Sequence, residues 1–419
     1  MKIITQLSAF DYEEISILGD LERCKLLLDN VPDEKIVNKL IDIRGKGRND
    51  YPIIPVWNSI LIMPLIECSS IAQLQRELSR NSDLRKLCGF NDADYYYGKC
   101  KLVPPAKAYT NMFNNLKKIE TLLKDCFNNL RQFMYDNLKN FGEEVGEDGK
   151  IFFSMANKPC TDKQVDGRSE IDADFTFKEL YYKDNNGVTQ IKKMRYFGFR
   201  LHLLSDVNYE LPIEYTVTKA SKGEQEQLMK HINMLSPELR KKIKVLMADK
   251  GYDTTDLIIF LKENEISPVI DIRNHWSKDE PTKQYKDTDL VYTYDGVVSI
   301  VLEDGEKVEL KYLGYDKIKN TLRYSYKDKI YSIDISYDQR VFTPIARNSR
   351  KWQRLYNKRS SLERINGRLD RDFNLENNKV RGLKKATVMI DIMMIGMLSM
   401  AKGHILNNDL EKIRRLKSI

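Results

Sequence analysis

The spacing of apolar residues predicts helices at both ends of the chain and a mixed region between them. Up to residue 105, apolar positions recur every three or four residues, as in amphipathic helices. After Pro104-Pro105, which mark a boundary, the same spacing predicts one long helix over residues 107–140. Near the C-terminus, the apolar stretch 388–401 predicts a buried helix, because it is too short to cross a bilayer and contains Asp391.

Strands and helices are predicted to alternate between residues 141 and 273. The expected order is three strands, then helix, strand, helix and strand, and the clearest alternation covers residues 196–207. Beyond this region, Asp-Gly pairs split strand-type runs, as in hairpins. The pattern predicts an α/β protein in four parts: a helical N-terminal domain (1–105), the first part of a core (106–273), a β-rich insertion (274–345) and the second part of the core (346–419).

A stretch after the insertion places reactive side chains together. Read as one helix, it brings Tyr356, Arg359 and Glu363 to one face. The opposite face is apolar and would be covered by a core; its residues are Leu355, Leu362, Ile365 and Leu369. A basic flank beside the carboxylate consists of Arg364, Arg368 and Arg371. Taken alone, this is also the pattern of a solvated helix with an Arg–Glu pair.

The positive charge is concentrated around this stretch. The chain carries a formal charge of +8. Residues 347–385 contain 13 basic and 4 acidic residues, a net charge of +9, so the rest of the chain carries −1. This distribution favours a polyanion such as nucleic acid as partner, and it fits a membrane surface less well. The arginine-dotted N-terminal helices are compatible with a helix-turn-helix DNA-binding module and equally with a plain helical bundle.

Cysteine and histidine usage excludes several kinds of site. The six cysteines are scattered without a C-x-x-C pair, as expected for reduced thiols in a cytoplasmic protein. The four histidines show no metal-ligand spacing. No apolar run follows the first residues, so we expect no signal peptide.

Carboxylates from separate elements are the candidate chemical groups. Asp249 ends a predicted central strand, Glu363 lies on the helix after the insertion, and Asp148 or Asp174 lies near the first strand. Converging carboxylates repel each other unless a cation lies between them, and oxygen ligands select Mg²⁺ or Mn²⁺. Two such ions support phosphodiester chemistry. For each acid alone, a helix cap or a surface charge is the alternative interpretation.

Four motifs resemble those of bacterial insertion-sequence DDE transposases. Asp249-Lys250-Gly251-Tyr252-Asp253 resembles their Asp-x-Gly-Tyr/Phe-Asp motif, and Tyr356-x-x-Arg359-x-x-x-Glu363-Arg364 resembles their Tyr-Arg-Glu signature. Gly198-Phe199-Arg200-Leu201-His202 is similar to their second-strand segment, and Asp148-Gly149-Lys150 to the motif of their first catalytic aspartate. The resemblance extends over nearly the whole chain.

The resemblance implies an RNase H-like catalytic core that is interrupted by the β insertion. It implies cut-and-paste transposition by a homodimer on double-stranded DNA, at the inverted-repeat ends of its own element and at a target, in the bacterial cytoplasm at the nucleoid. Asp148, Asp249 and Glu363 would bind two Mg²⁺ or Mn²⁺ ions. The DNA-binding residues would be Tyr356, Arg359, Arg364, Arg368, Arg371 and Arg200.

Two positions depart from the family pattern. The lysine that often follows seven residues after the glutamate is Asp370 here, so its role would pass to one of the nearby arginines. The residues before Asp148 are Gly146 and Glu147 and not an apolar strand, which leaves Asp174 as the alternative first acid. Two other functions remain open: an RNase H-like nuclease without strand transfer, and a decayed transposase that only binds DNA.

Overall fold

The computed structural model describes residues 19–46, 50–92, 96, 98, 101–158, 169–184, 187–277 and 279–415. The predictions for residues 1–18, Cys100, Cys160 and the last four residues lie outside these ranges. Cys24, Cys68, Cys88 and Cys126 are buried, as expected for thiols in a protein core.

Seven helices precede the sheet within the described residues. They are α1 (Glu22–Asn30), α2 (Glu34–Arg44), α3 (Ile53–Ile62), α4 (Ile71–Arg80), α5 (Ser82–Cys88), α6 (Ala106–Leu116) and α7 (Glu120–Asn137). Ser70 caps α4 by accepting a hydrogen bond from Gln73 N. The single helix expected over residues 107–140 is wrong, since the chain turns at Lys117–Ile119. No glycine or proline marks this turn, and Leu116, Ile119 and Leu123 are all buried, so the apolar spacing continues through it.

A six-stranded sheet forms the centre of the molecule. Its strands are β1 (Glu144–Phe153), β2 (Asp174–Lys183), β3 (Thr189–Asp206), β4 (Leu211–Lys219), β5 (Val245–Ala248) and β6 (Ser267–Ile270). β1, β5 and β6 are parallel neighbours, and β3 pairs antiparallel with β1, β2 and β4. Four strands therefore precede the next helix, not three. The sequence prediction missed β2, which pairs with the first half of β3 as a two-stranded ribbon.

Three helices cover the sheet between β4 and β6. They are α8 (Glu224–Met234), α9 (Pro237–Lys242) and α10 (Thr255–Glu263). Residues of the sheet, these helices and the N-terminal helices belong to one continuous hydrophobic cluster, which extends from Cys24 to Ile413.

The residues that follow β6 form two small antiparallel sheets. The first contains β7 (Thr282–Gln284), β8 (Leu290–Thr293), β9 (Val298–Val301) and β10 (Lys307–Glu309). The second contains β11 (Lys311–Asp316), β12 (Thr321–Tyr326) and β13 (Lys329–Asp334). Asp295-Gly296 forms the predicted turn between β8 and β9, where Gly296 has a φ of +86°. A separate hydrophobic cluster fills these sheets, with members from Ile272 to Ala346.

The C-terminal helices return to the sheet. They are α11 (Arg350–Asn357), α12 (Ser360–Arg371) and α13 (Leu383–Leu406). The continuous helix expected through residues 355–369 is wrong, because the chain makes a turn at Lys358–Arg359 between α11 and α12. The predicted apolar face is nevertheless buried. α12 packs directly on β1, where a Cβ at Gly146 would lie 2.9 Å from Leu362 Cδ1.

α13 is longer than the predicted stretch 388–401. Among the described residues it is the one helix that is long and apolar enough to cross a membrane, but 89% of its most apolar window is buried inside the protein. It packs against α7, α1 and β4. α13 is therefore a core helix of this fold.

Candidate active site

Asp148 and Asp249 face each other across neighbouring parallel strands. β1 and β5 pair with Gly146 opposite Met247, so the two aspartates come opposite each other two residues further on. Adjacent strands are about 4.8 Å apart, so carboxylates in this register repel each other. Burial raises the pKa of Asp148, and the charge of Asp249 raises it as well.

Backbone amides hold both carboxylates. Asp148 Oδ1 accepts a hydrogen bond from its neighbour Gly149 N at 2.9 Å. Asp249 Oδ1 accepts one from Gly251 N at 2.6 Å, which caps the short 3₁₀ turn Lys250–Tyr252. The glycine-containing motif thus fixes the second aspartate at the end of β5.

One side of β1 contacts α12. Asp148 Oδ2 accepts a hydrogen bond from Asn366 Nδ2 at 2.7 Å. Two residues further along β1, Lys150 forms an ion pair with Asp370. Asp370, which occupies the position where the family often has a lysine, is therefore paired with a lysine from strand β1.

The other side of β1 contacts α8. Glu147 Oε2 and His231 Nδ1 are 2.9 Å apart, and both side chains are fully buried. Burial raises the pKa of Glu147, and His231 opposes this shift. The polar sequence before Asp148 is therefore compatible with a central strand, because a buried histidine on α8 pairs with one oxygen of the Glu147 carboxylate.

Glu224 approaches both aspartates from this side and was missed by sequence reasoning. A Cβ at Gly149 would lie 3.0 Å from Glu224 Cδ, so the glycine makes room for this carboxylate. Burial raises the pKa of Glu224, and the charges of Asp249 and Asp148 raise it further. Arg200 opposes this shift through a direct ion pair.

Tyr356, Arg359 and Glu363 remain near each other despite the break between α11 and α12. Arg359 Nη2 is 3.1 Å from Glu363 Oε1, and its guanidinium lies 5.8 Å from the Tyr356 ring centre. The Tyr356 ring also stacks on Trp352 at 4.8 Å. The Glu363 side chain is 64% exposed and is directed to Arg359.

The three flanking arginines have different surroundings. Arg368 is buried and donates to both the backbone oxygen and the carboxylate of Glu210. Its predicted role as a DNA contact is not supported, because its guanidinium is 4% exposed. Arg364 also pairs with Glu210 but is 55% exposed, and Arg371 is exposed.

Asp174, the alternative first acid, lies at the start of β2. It pairs with Gly198, five residues along β3 from Leu203, which is the partner of Asp148. Its carboxylate accepts a hydrogen bond from Ser221 Oγ at 2.8 Å. The structure does not bring it together with Asp249.

A family model supplies the identification. The model of the transposase DDE domain matches residues 167–398, which is more than half of the chain. The chain belongs to this transposase family. The matched range contains Asp249 and Glu363, whereas Asp148 precedes it.

Two further comparisons add little. A solved structure described as the piggyBac transposase synaptic complex with hairpin DNA, determined by cryo-EM, is similar to this transposase with a TM-score of 0.38. The sequences are 14% identical, and the similarity covers 96% of this chain and 80% of that one. No curated protein matches the chain.

The donor set of the transposase site fits a hard divalent cation in part. Asp148, Asp249 and Glu224 are oxygen donors, and the charge of Asp249 raises the pKa of both Asp148 and Glu224, which is the electrostatic situation that a cation relieves. Among the described residues, however, no three acidic, histidine or cysteine side chains are grouped as metal ligands. The third predicted acid, Glu363, pairs with Arg359.

Long-range contacts explain which site residues were missed. Glu224 and Asn366 lie near Asp148 but belong to helices far from it in the sequence, so no local spacing reports them. The sequence feature that indicates Glu224 is the pair of glycines Gly149 and Gly251. Each follows a predicted catalytic aspartate and leaves space for a further side chain.

Proposed function

We propose that this DDE transposase cleaves DNA at the inverted-repeat ends of its own element and joins those ends to a target. The observation that carries the proposal is the strand register, which places Asp148 in the middle of β1 beside Asp249, the residue that follows β5, in a chain whose family is that of DDE transposases. The sheet order β4-β3-β1-β5-β6, with β1, β5 and β6 parallel, supports an RNase H-like core.

Asp148, Asp249 and Glu363 would hold the metal ions. Mg²⁺ or Mn²⁺, when bound, would activate a water or a 3′-hydroxyl and stabilise the leaving oxygen. The side chain of Glu363 must turn away from Arg359 to join the aspartates, and its 64% exposure leaves room for this rotation. Arg359 would then be released to bind a DNA phosphate.

Glu224 is a second candidate for the third acid. The charges of both aspartates raise its pKa, and a Cβ at Gly149, the residue after Asp148, would lie 3.0 Å from its Cδ. Its pairing with Arg200 would have to weaken before it could bind a metal ion. The two candidates make different predictions for substitution.

The partners and the location of the protein are part of the same proposal. A homodimer would bind double-stranded DNA, because two element ends must be cut and joined together. As a bacterial insertion-sequence enzyme, it would act in the cytoplasm at the nucleoid. The exposed basic residues around α11 and α12 support DNA as the partner.

The test is cleavage of a labelled duplex that carries the element's inverted repeat, with Mg²⁺ or Mn²⁺. We expect Asp148→Ala and Asp249→Ala to abolish cleavage, and Asp174→Ala to retain it. Loss in either Glu363→Ala or Glu224→Ala identifies the third acid. Titration calorimetry with Mn²⁺ gives a second readout, since losing a metal ligand weakens binding independently of turnover.

Glu226→Ala is the matched control, because this exposed carboxylate lies on α8 and pairs only with a surface lysine among the described residues. Cleavage that survives in Asp249→Ala would refute the proposed site. Wild-type DNA binding without any cleavage would indicate a decayed transposase. Cleavage without joining of the ends to target DNA would indicate a nuclease.

A further inference from the structure

The β2–β3 ribbon extends beyond the sheet and carries exposed lysines on both faces. Ten residue pairs join β2 to β3, from Asp174–Gly198 to Lys183–Thr189. An isolated two-stranded ribbon is marginally stable in water, so its long exposed faces call for a partner. Side chains alternate between the faces, and one face, the basic face, carries Thr176, Lys178, Tyr182, Gln190, Lys192 and Tyr196.

The charges on the two faces differ in their surroundings. On the basic face, Lys178 and Lys192 are exposed, and neither has an ion-pair partner among the described residues. On the opposite face, Lys193 is 3.5 Å from Glu179, and the Arg195 guanidinium lies 3.5 Å from the Phe175 ring centre. Lys183 on the opposite face is exposed and also has no ion-pair partner among the described residues, so the basic face, which carries Lys178 and Lys192, is distinguished by its connection to the candidate active site and not by its charge.

The base of the basic face is joined to the candidate active site. Arg200, two residues beyond Gly198 in β3, donates to Thr176 Oγ1 at 3.3 Å and pairs with Glu224. A strand that follows the basic face would thus reach the acidic residues.

We infer that the β2–β3 ribbon is a DNA-binding arm whose basic face holds the phosphate backbone beside the Asp148–Asp249 pair. This inference rests on the proposed DNA transposase function. The lysines supply the charge complementarity, and a two-stranded ribbon fits the width of a major groove. Exposed Tyr182 and half-buried Tyr196 add aromatic surface on the same face.

Two double variants, each of which removes two positive charges, distinguish the contributions of the two faces to DNA binding. Lys178→Ala with Lys192→Ala removes the basic face, and Lys183→Ala with Lys193→Ala is the matched control on the opposite face. Binding of the full chain to a fluorescein-labelled 30-bp duplex is measured by anisotropy from 50 to 200 mM KCl. We expect the first variant to bind about tenfold more weakly and to reduce the salt slope by about 2, since each lost phosphate contact changes it by about 0.9. The control should change neither.

Photocrosslinking assigns the partner directly. Benzoylphenylalanine at Tyr182 should crosslink to the duplex, whereas the same group at Phe177, on the opposite face and 62% exposed, should not. Equal loss of affinity in both double variants would refute the proposal that the ribbon is a DNA-binding arm. No loss in either variant, while the wild type binds, would refute it as well. A crosslink from Tyr182 to a second copy of the chain would do the same. If the wild-type chain fails to bind the duplex, the proposed function itself fails.

Discussion

Asp391 lies in the middle of the apolar helix α13, and its replacement by asparagine should make folding stability less dependent on pH. The side chain is buried, and its Oδ1 accepts a hydrogen bond from Tyr215 Oη at 2.7 Å. Burial raises the pKa of Asp391 from 3.8 to about 7, against the smaller influence of Lys124. The folded protein therefore keeps a proton that the unfolded chain releases.

The sign follows from this raised pKa. The stability linked to the proton is fully present below pH 4 and is lost as the pH rises through about 7. The full loss is about 4 kcal/mol, of which roughly 2.5 kcal/mol falls between pH 5 and pH 8, at 1.36 kcal/mol for each pKa unit. The side chain introduced by Asp391→Asn cannot ionise and keeps the shape of the aspartate.

Urea unfolding of the wild type and of Asp391→Asn at pH 5, 6, 7 and 8 measures the effect. The free energy of unfolding of the variant minus that of the wild type should increase across this range by about 2.5 kcal/mol. A difference that is constant with pH would show that Asp391 is ionised in the folded protein. The reasoning from its burial would then be wrong.

Two further substitutions test contacts around the site. Gly149→Ala places a Cβ against Glu224, so it should displace that carboxylate from Arg200, lower the single-turnover cleavage rate at least about tenfold, and destabilise the fold by about 1–3 kcal/mol in urea unfolding. Glu210→Ala leaves the buried guanidinium of Arg368 without its carboxylate and should reduce the free energy of unfolding by about 3–5 kcal/mol, also measured in urea.

Each of these substitutions has an internal comparison. In a Glu224→Ala background, Gly149→Ala should lose its effect on cleavage, because the two changes act on one contact. An additive effect would show that the glycine matters for another reason. For Glu210, the comparison is Glu77→Ala, which removes a surface partner of Arg80 and should change stability by less than about 1 kcal/mol. Similar losses in both would contradict a buried role for Glu210.

The sequence predicted the elements whose burial follows a simple period. Leu355, Leu362, Ile365 and Leu369 are buried as their spacing indicates, although the helix breaks between them. The break at Lys358 has no glycine or proline to reveal it. It is consistent with a long-range contact, the ion pair of Lys358 with Glu144 at the start of β1.

Strand β2 and the carboxylate of Glu224 could not be predicted for a related reason. Neither face of β2 is buried, because the ribbon is exposed on both sides. Period-2 patterning identifies strands only when one face is buried. The motif Asp148-Gly149-Lys150 predicted Asp148, although the residues before it are polar. The partner that makes this strand tenable, His231, is 84 residues away in the sequence.

The two ends of the segment after β6 lie side by side. Arg347 donates to the backbone oxygen of Ile270, and Arg340 Nη2 donates to that of Arg273 at 2.7 Å while also holding Asp253. The chain thus leaves the sheet and returns to it at nearly one point, around a hydrophobic cluster of its own. In evolutionary terms this makes the segment a replaceable module. Descendants of this gene can lengthen, shorten or exchange it without moving the strands that carry the acidic residues.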